Sequence, residues 1–396
     1  MTVEEGPVYT RGESYRARAE ARQRRYRAGA LSVGHGQYGH LLSPEAAAAG
    51  KNFILEEAFQ AAKSRRDAGK GVAPRTFDNM LSSQAMCFNL FGPLATRREL
   101  AAELLAPSIE GLLEISAIHI EHTPAPDLLR DQRGRGGVDC DVLIEGQTTR
   151  GRLALVIETK FVEPKFSGCG FRKAGRQQKG LEVCPQEVAV GQDRRECLYV
   201  RKKGYAYWER TDQHRLLAPD ALEPRGCPFG GELWQPWVNL ALAHEEAARR
   251  GASDARFAVC VSPRNEALGA KPALDELRAH LRAPDSVALI DLDALLLRLG
   301  EVAPPELRGW GREMGERYGG GVREGPPSPA IRAAPAALAD QRATLQAPGG
   351  SRGRSPPCAG SSPLTGSCRQ AARPAQGAQD SARARWHRRC APAKGG

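Results

Sequence analysis

Two short apolar runs constrain this chain more than any other feature. Val138 to Ile144 and Leu153 to Phe161 are rich in Val, Ile and Leu, and the short link Glu145 to Arg150 lies between them. Apolar runs of that length read as strands, and a link that short predicts an antiparallel hairpin. Side chains alternate between the faces of a strand. Asp139 and Asp141 therefore share a face on the first run, and Glu158 and Lys160 share one on the second. If the strands pair, all four charges converge at one end of a small sheet.

Charge at the end of apolar strands loses solvation unless it is paired or binds a cation. Two carboxylates one hairpin apart suit a hard divalent ion such as Mg²⁺ or Mn²⁺, which prefers oxygen ligands. Such an ion can activate water against a phosphodiester, with Lys160 orienting that water or stabilising the developing charge. A salt-bridged hairpin, in which Lys160 only neutralises Glu158 or Asp141, fits the same residues.

The flanking sequence predicts a mixed α/β domain. Residues 52–66 have helical spacing, with Phe53, Ile54, Ala58 and Ala61 on one side. Residues 81–92 begin with serine caps and are expected to stop at Gly92-Pro93, with Gln84 and Asn89 as polar exceptions in an apolar helix. Residues 97–111 read as a helix and Ile115 to His122 as a strand. After an irregular insertion at 162–230, a helix at 231–250 ends at Gly251. Strand, helix, strand and helix follow at Arg256 to Val261, 272–282, Val287 to Leu292 and 305–318.

The formal charge of +11 suggests nucleic acid, but its distribution weakens that inference. Seven arginines against four glutamates give residues 1–30 a net +3, residues 31–321 carry −1, and residues 322–396 carry +9. The basic body that the total implies does not exist. Residues 322–396 are Pro, Ala, Gly, Ser and Arg without period, a composition expected to stay disordered. The first 30 residues read as a short basic helix or a loosely attached arm. No run approaches the roughly 18 apolar residues of a membrane span and no secretory leader is visible, so a cytoplasmic protein is expected.

Asp141, sixteen residues, then Glu158-Thr159-Lys160 after Leu155-Val156-Ile157 resembles the PD-(D/E)xK nuclease superfamily. The stretches Leu81-Ser82-Ser83-Gln84 to Pro93 and Glu158 to Pro164 are similar to uncharacterised bacterial restriction-endonuclease-like proteins within it. The resemblance spans about residues 50–318. It implies a restriction-endonuclease-like core and a Mg²⁺-dependent deoxyribonuclease, with Asp141 and Glu158 as metal ligands and Lys160 as the catalytic lysine. It also implies a supporting polar residue on the first core helix, Gln84 or alternatively Glu57. Gln235 and Asn239, spaced i,i+4 after the catalytic strands, match a Gln-aromatic pair of RecB-like members, with Asn in place of the aromatic. DNA is the implied partner and a homodimer a further expectation. The competing reading is a nuclease fold kept as a silent binding or interaction module.

Ten cysteines are present. Cys87, Cys140 and Cys260 sit in apolar segments and read as buried hydrophobes. Cys169, Cys184, Cys197 and Cys227 could close a zinc or iron–sulfur site, although none forms a CxxC pair. Cys358, Cys368 and Cys390 fall in the tail. Arg172, Lys173, Arg176 and Lys179 form a basic run able to contact phosphates. His119 and His122, three apart on a strand, are expected on opposite faces. Trp234 and Trp237 read as core, and Gly134 to Gly137 lack the Lys-Ser/Thr of a phosphate loop.

Overall fold

The computed structural model describes residues 3–69, 71–132, 137–173, 175–185, 187–222 and 226–319. Contacts divide the chain into two units, Met1–Ala333 and Ala334–Gly396. The second unit, the tail 322–396 with its three cysteines, and Gly134 to Gly136 lie outside the described residues.

The expected hairpin is present. β2 (Cys140–Thr148) and β3 (Gly151–Thr159) pair antiparallel, with Val142 opposite Ile157 and Glu145 opposite Ala154, and turn through Thr149-Arg150. β1 (Leu112–His122) adds antiparallel to β2. β4 (Asp254–Val261) and β5 (Val287–Asp291) continue the sheet in parallel, in the order β1-β2-β3-β4-β5. A parallel neighbour requires a crossover; the helix Trp234–Arg250 provides it before β4, and Ala270–Ala279 before β5.

Helices cover both faces. Leu143, Val156, Phe257 and Val259 pack with Trp237, Leu240 and Leu274 on one face. Val142, Ile144, Leu155 and Ile157 pack with Cys87, Leu90, Phe91 and Trp310 on the other. Each large side chain fully removed from water contributes about 1.5–3 kcal/mol. Buried from both sides, β3 is apolar from Leu153 to Ile157, so past Arg152 its polar side chains, Glu158 and beyond, emerge at its C-terminal end.

The helix Ser83–Leu94 is capped by Ser82, whose Oγ accepts from Ala85 N at 3.3 Å. It runs through Gly92-Pro93 instead of stopping there. Proline cannot donate to the carbonyl four residues back, which here is Asn89 O. The indole of Trp310 fills the vacancy, donating to that oxygen at 2.8 Å. Replacing Trp310 with Phe should therefore cost about 1–3 kcal/mol by orphaning a buried carbonyl. Urea unfolding measures this; an unchanged midpoint would mean that another donor serves Asn89.

Other boundaries differ as well. A further helix, Leu292–Val302, follows β5 directly because Asp291 caps it, accepting from Asp293 N and Ala294 N at 2.9 and 3.1 Å. The basic N-terminal segment is no loose arm. It forms the helix Tyr15–Tyr26, with Tyr15 and Tyr26 buried, and Gln23 Nε2 donates to Arg317 O at 2.8 Å. Arg27 is fully buried, donating to the carbonyls of Gly39, Val33 and Glu4. Arg27 holds the fold, while Arg18 and Arg25 stay exposed.

Candidate active site

Asp141 is the second residue of β2. Its Oδ2 accepts from Thr159 N at 2.7 Å and Thr159 Oγ1 at 2.6 Å, which ties it to the end of β3. Glu158, next to Thr159 and only 6% exposed, is held by three donors. Its Oε1 accepts from Lys160 Nζ and Gln235 Nε2, both at 2.8 Å, and its Oε2 from Asn239 Nδ2 at 3.0 Å. Gln235 and Asn239 lie one turn apart on Trp234–Arg250, and their i,i+4 spacing aims both amides at one carboxylate. Gln235 Oε1 also accepts from Ser167 N at 3.0 Å, anchoring the loop after β3. Lys160 is 7% exposed, with Nζ 5.9 Å from the Phe166 ring centre.

The electrostatics are those of a crowded acidic site. Burial, followed by the charge of Glu158, pushes the Asp141 carboxyl up to about 7. Burial alone would lower the Lys160 ammonium, but Glu158, and then Glu163 and Asp141, outweigh it and hold it above the usual lysine range. Lys160 is therefore a charged donor at neutral pH, suited to stabilise negative charge and not to abstract a proton.

Sequence reasoning missed a third carboxylate. Glu121, near the end of β1, is 5% exposed, and its Oε1 is buried without a hydrogen-bond partner. Burial, followed by the charge of Asp141, pushes its carboxyl up to about 9. Its φ of 51° is left-handed, unusual for a side chain of this size. That kink also corrects the histidine expectation. His119 and His122 lie on the same side, ring centres 6.0 Å apart, bonded to Glu145 and Glu246 at 2.8 and 2.6 Å. A buried glutamate inside an alternating strand was the available signal, but alternation alone marks it as an outward polar residue.

The other candidates separate. Gln84 lies beside Glu121 and partly offsets the rise of its carboxyl; its Nε2 donates to Gly71 O at 3.3 Å, and its Oε1 accepts from Ala73 N at 3.0 Å and from Thr76 Oγ1. Glu57, the alternative, instead pairs with Arg97 at 2.8 Å. Asp139 precedes β2, is exposed, and neighbours Arg65, Thr123 and His122. In the basic run, Arg172 Nη2 donates to Pro185 O at 3.0 Å and Arg176 Nε to Glu182 O at 2.9 Å, which leaves Lys173 and Lys179 as its exposed cations. Trp237 is core, stacked on Phe229 with ring centres 4.5 Å apart.

Cys169, Cys184, Cys197 and Cys227 do converge, as free thiols lining one small cavity with Phe171, Trp208 and Trp237. Burial raises the Cys169 and Cys197 thiols and pushes Cys227 up to about 12, making them poor thiolates. Among the described residues, no group of three or more His, Cys, Asp or Glu side chains stands at metal-holding spacing. The four cysteines share their cavity with aromatic side chains, and the acidic site would need side-chain adjustment to surround an ion.

The donor set of that acidic site is all carboxylate and amide oxygen, with the orphaned Glu121 Oε1 and a second orphan, Asn239 Oδ1, buried beside it. Hard divalent cations take such ligands. Among the described residues, no helix is long and apolar enough to cross a membrane. A family model described as the PD-(D/E)XK nuclease superfamily matches residues 11–188, the stretch that holds Gln84, Glu121, Asp141, Glu158 and Lys160. No curated protein and no solved structure matches the chain.

Proposed function

We propose that this PD-(D/E)XK superfamily chain is a metal-dependent nuclease that hydrolyses DNA phosphodiester bonds. The observation that carries the reading is the Asp141–Thr159 and Glu158–Lys160 arrangement. Two buried carboxylates on adjacent strands meet an ammonium that stays charged. Asp141 and Glu158 would hold Mg²⁺ or Mn²⁺, which when bound supplies an activated water and neutralises charge on the scissile phosphate.

The protein's own residues do the rest. Gln235 and Asn239 fix the Glu158 carboxylate so that its oxygens do not wander between rotamers. Thr159 does the same for Asp141. Lys160 donates to the oxygen on which negative charge accumulates as the phosphate is attacked. Lys173 and Lys179 supply exposed cations for the nucleic-acid backbone. An intact Asp141, Glu158 and Lys160, with amides clamping the glutamate, favours turnover over a silent binding module.

The test is incubation of the full chain with plasmid, linear duplex and single-stranded DNA, with and without Mg²⁺ or Mn²⁺. Cleavage should need the metal and stop on addition of EDTA. Binding without cleavage of any of the three, with either metal, would instead identify a silent module.

A further inference from the structure

We propose that Glu121 is the third acidic ligand of the cation site, so that the ion is held by a row of carboxylates from three adjacent strands. The inference rests on the nuclease reading and extends it to a residue outside the Asp141, Glu158 and Lys160 motif.

Register supplies the row. Ile120 faces Val142 and His122 faces Cys140, which sets Glu121 across from Asp141. Val142 faces Ile157, and one step further along both strands Asp141 comes level with Glu158. Neighbouring strands stand about 4.8 Å apart, a separation that side-chain rotation closes to a common ligand.

The state of Glu121 points to something absent from the protein's own contacts. Its Oε1 is buried with no partner. Arg65 acts on Glu121 only through space, with its Nη2 on Thr123 Oγ1 at 3.3 Å and its buried Nε unpartnered, and Lys160 is bonded to Glu158 at 2.8 Å. A buried carboxyl oxygen without a hydrogen-bond donor is unfavourable, and a divalent cation removes the penalty.

The backbone has also been bent to put it there. With φ at 51°, the strand slips phase at Glu121. His122 turns to the same side as His119, bonding Glu246 on the Trp234–Arg250 helix, while Glu121 lies by Gln84 and Asp141. Left-handed backbone at a non-glycine residue persists only where surrounding structure imposes it.

Mn²⁺ binding to the full chain, followed by calorimetry and by the electron paramagnetic resonance signal of free Mn²⁺, tests this without DNA. Wild type, Glu121→Gln, Glu121→Asp and Asp141→Asn are compared, each checked for folding by circular dichroism. Glu121→Gln should weaken Mn²⁺ at least about tenfold, as should Asp141→Asn, with Glu121→Asp between wild type and Gln. Wild-type affinity in both Glu121 variants, with loss in Asp141→Asn, would overturn the role of Glu121 and leave the nuclease reading standing. No Mn²⁺ binding by the wild type at millimolar metal would overturn both.

Discussion

Replacing Lys160 with methionine should lower the DNA-cleavage rate by about 10²–10³-fold, the range found when one charge-stabilising donor is removed. Methionine keeps the buried stem, and Gln235 and Asn239 still hold Glu158, so the chain should stay folded. The loss should fall on kcat with KM little changed, because the ammonium is bonded to Glu158 in the ground state and gains a new partner only as charge develops. Single-turnover cleavage with a circular-dichroism control measures this. A rate within tenfold of wild type would make the Lys160–Glu158 pair a structural ion pair only.

Glu121→Gln should stabilise the protein in EDTA, and increasingly so as pH rises. The sign follows from the raised carboxyl. Its ordinary value is 4.5, and in the fold it stands at about 9. Between those values the folded state keeps a proton that the unfolded chain releases, so wild-type stability falls with rising pH and levels off above about 9. Glutamine has no proton to lose. The two proteins should match near pH 4, where the glutamate is neutral in both states. By pH 9 the gap should approach about 6 kcal/mol, which is what a carboxyl moved from 4.5 to about 9 contributes by linkage. Urea midpoints across that range measure the difference, and parallel curves would show that Glu121 is not held neutral. Saturating Mn²⁺ should reverse the order, since a ligand stabilises only the protein that binds it. A substitution that stabilises the bare fold and weakens the site is the expected mark of a residue kept for function.

Much of the site was legible in the chain because its determinants are local. The hairpin follows from two apolar runs and a short link, and Asp141 and Glu158 lie one step beyond Val142 and Ile157, the last paired residues. The resemblance to RecB-like members singles out Gln235 and Asn239, and helical spacing puts the two on one face. What stayed hidden depends on partners distant in sequence. Pro93 is a stop signal until an indole 221 residues from Asn89 takes the carbonyl the proline cannot use. The basic N-terminal segment could be a loose arm until the carbonyls that surround Arg27, just past its helix, are seen.

Glu121 marks the boundary most clearly. By periodicity Ile115 to His122 is an ordinary strand with an outward glutamate and two histidines on opposite faces. Pairing with β2 and packing against two helices impose a left-handed residue there, bring the histidines to one side and bury the glutamate beside Asp141. By itself the sequence determined the sheet hairpin and the charges at its end, because periodicity carries those, and the family resemblance singled out Asp141, Glu158, Lys160 and the two amides. Only the tertiary structure decided that a third carboxylate joins them, because backbone conformation and desolvation at a single residue are set by neighbours that the chain order does not reveal.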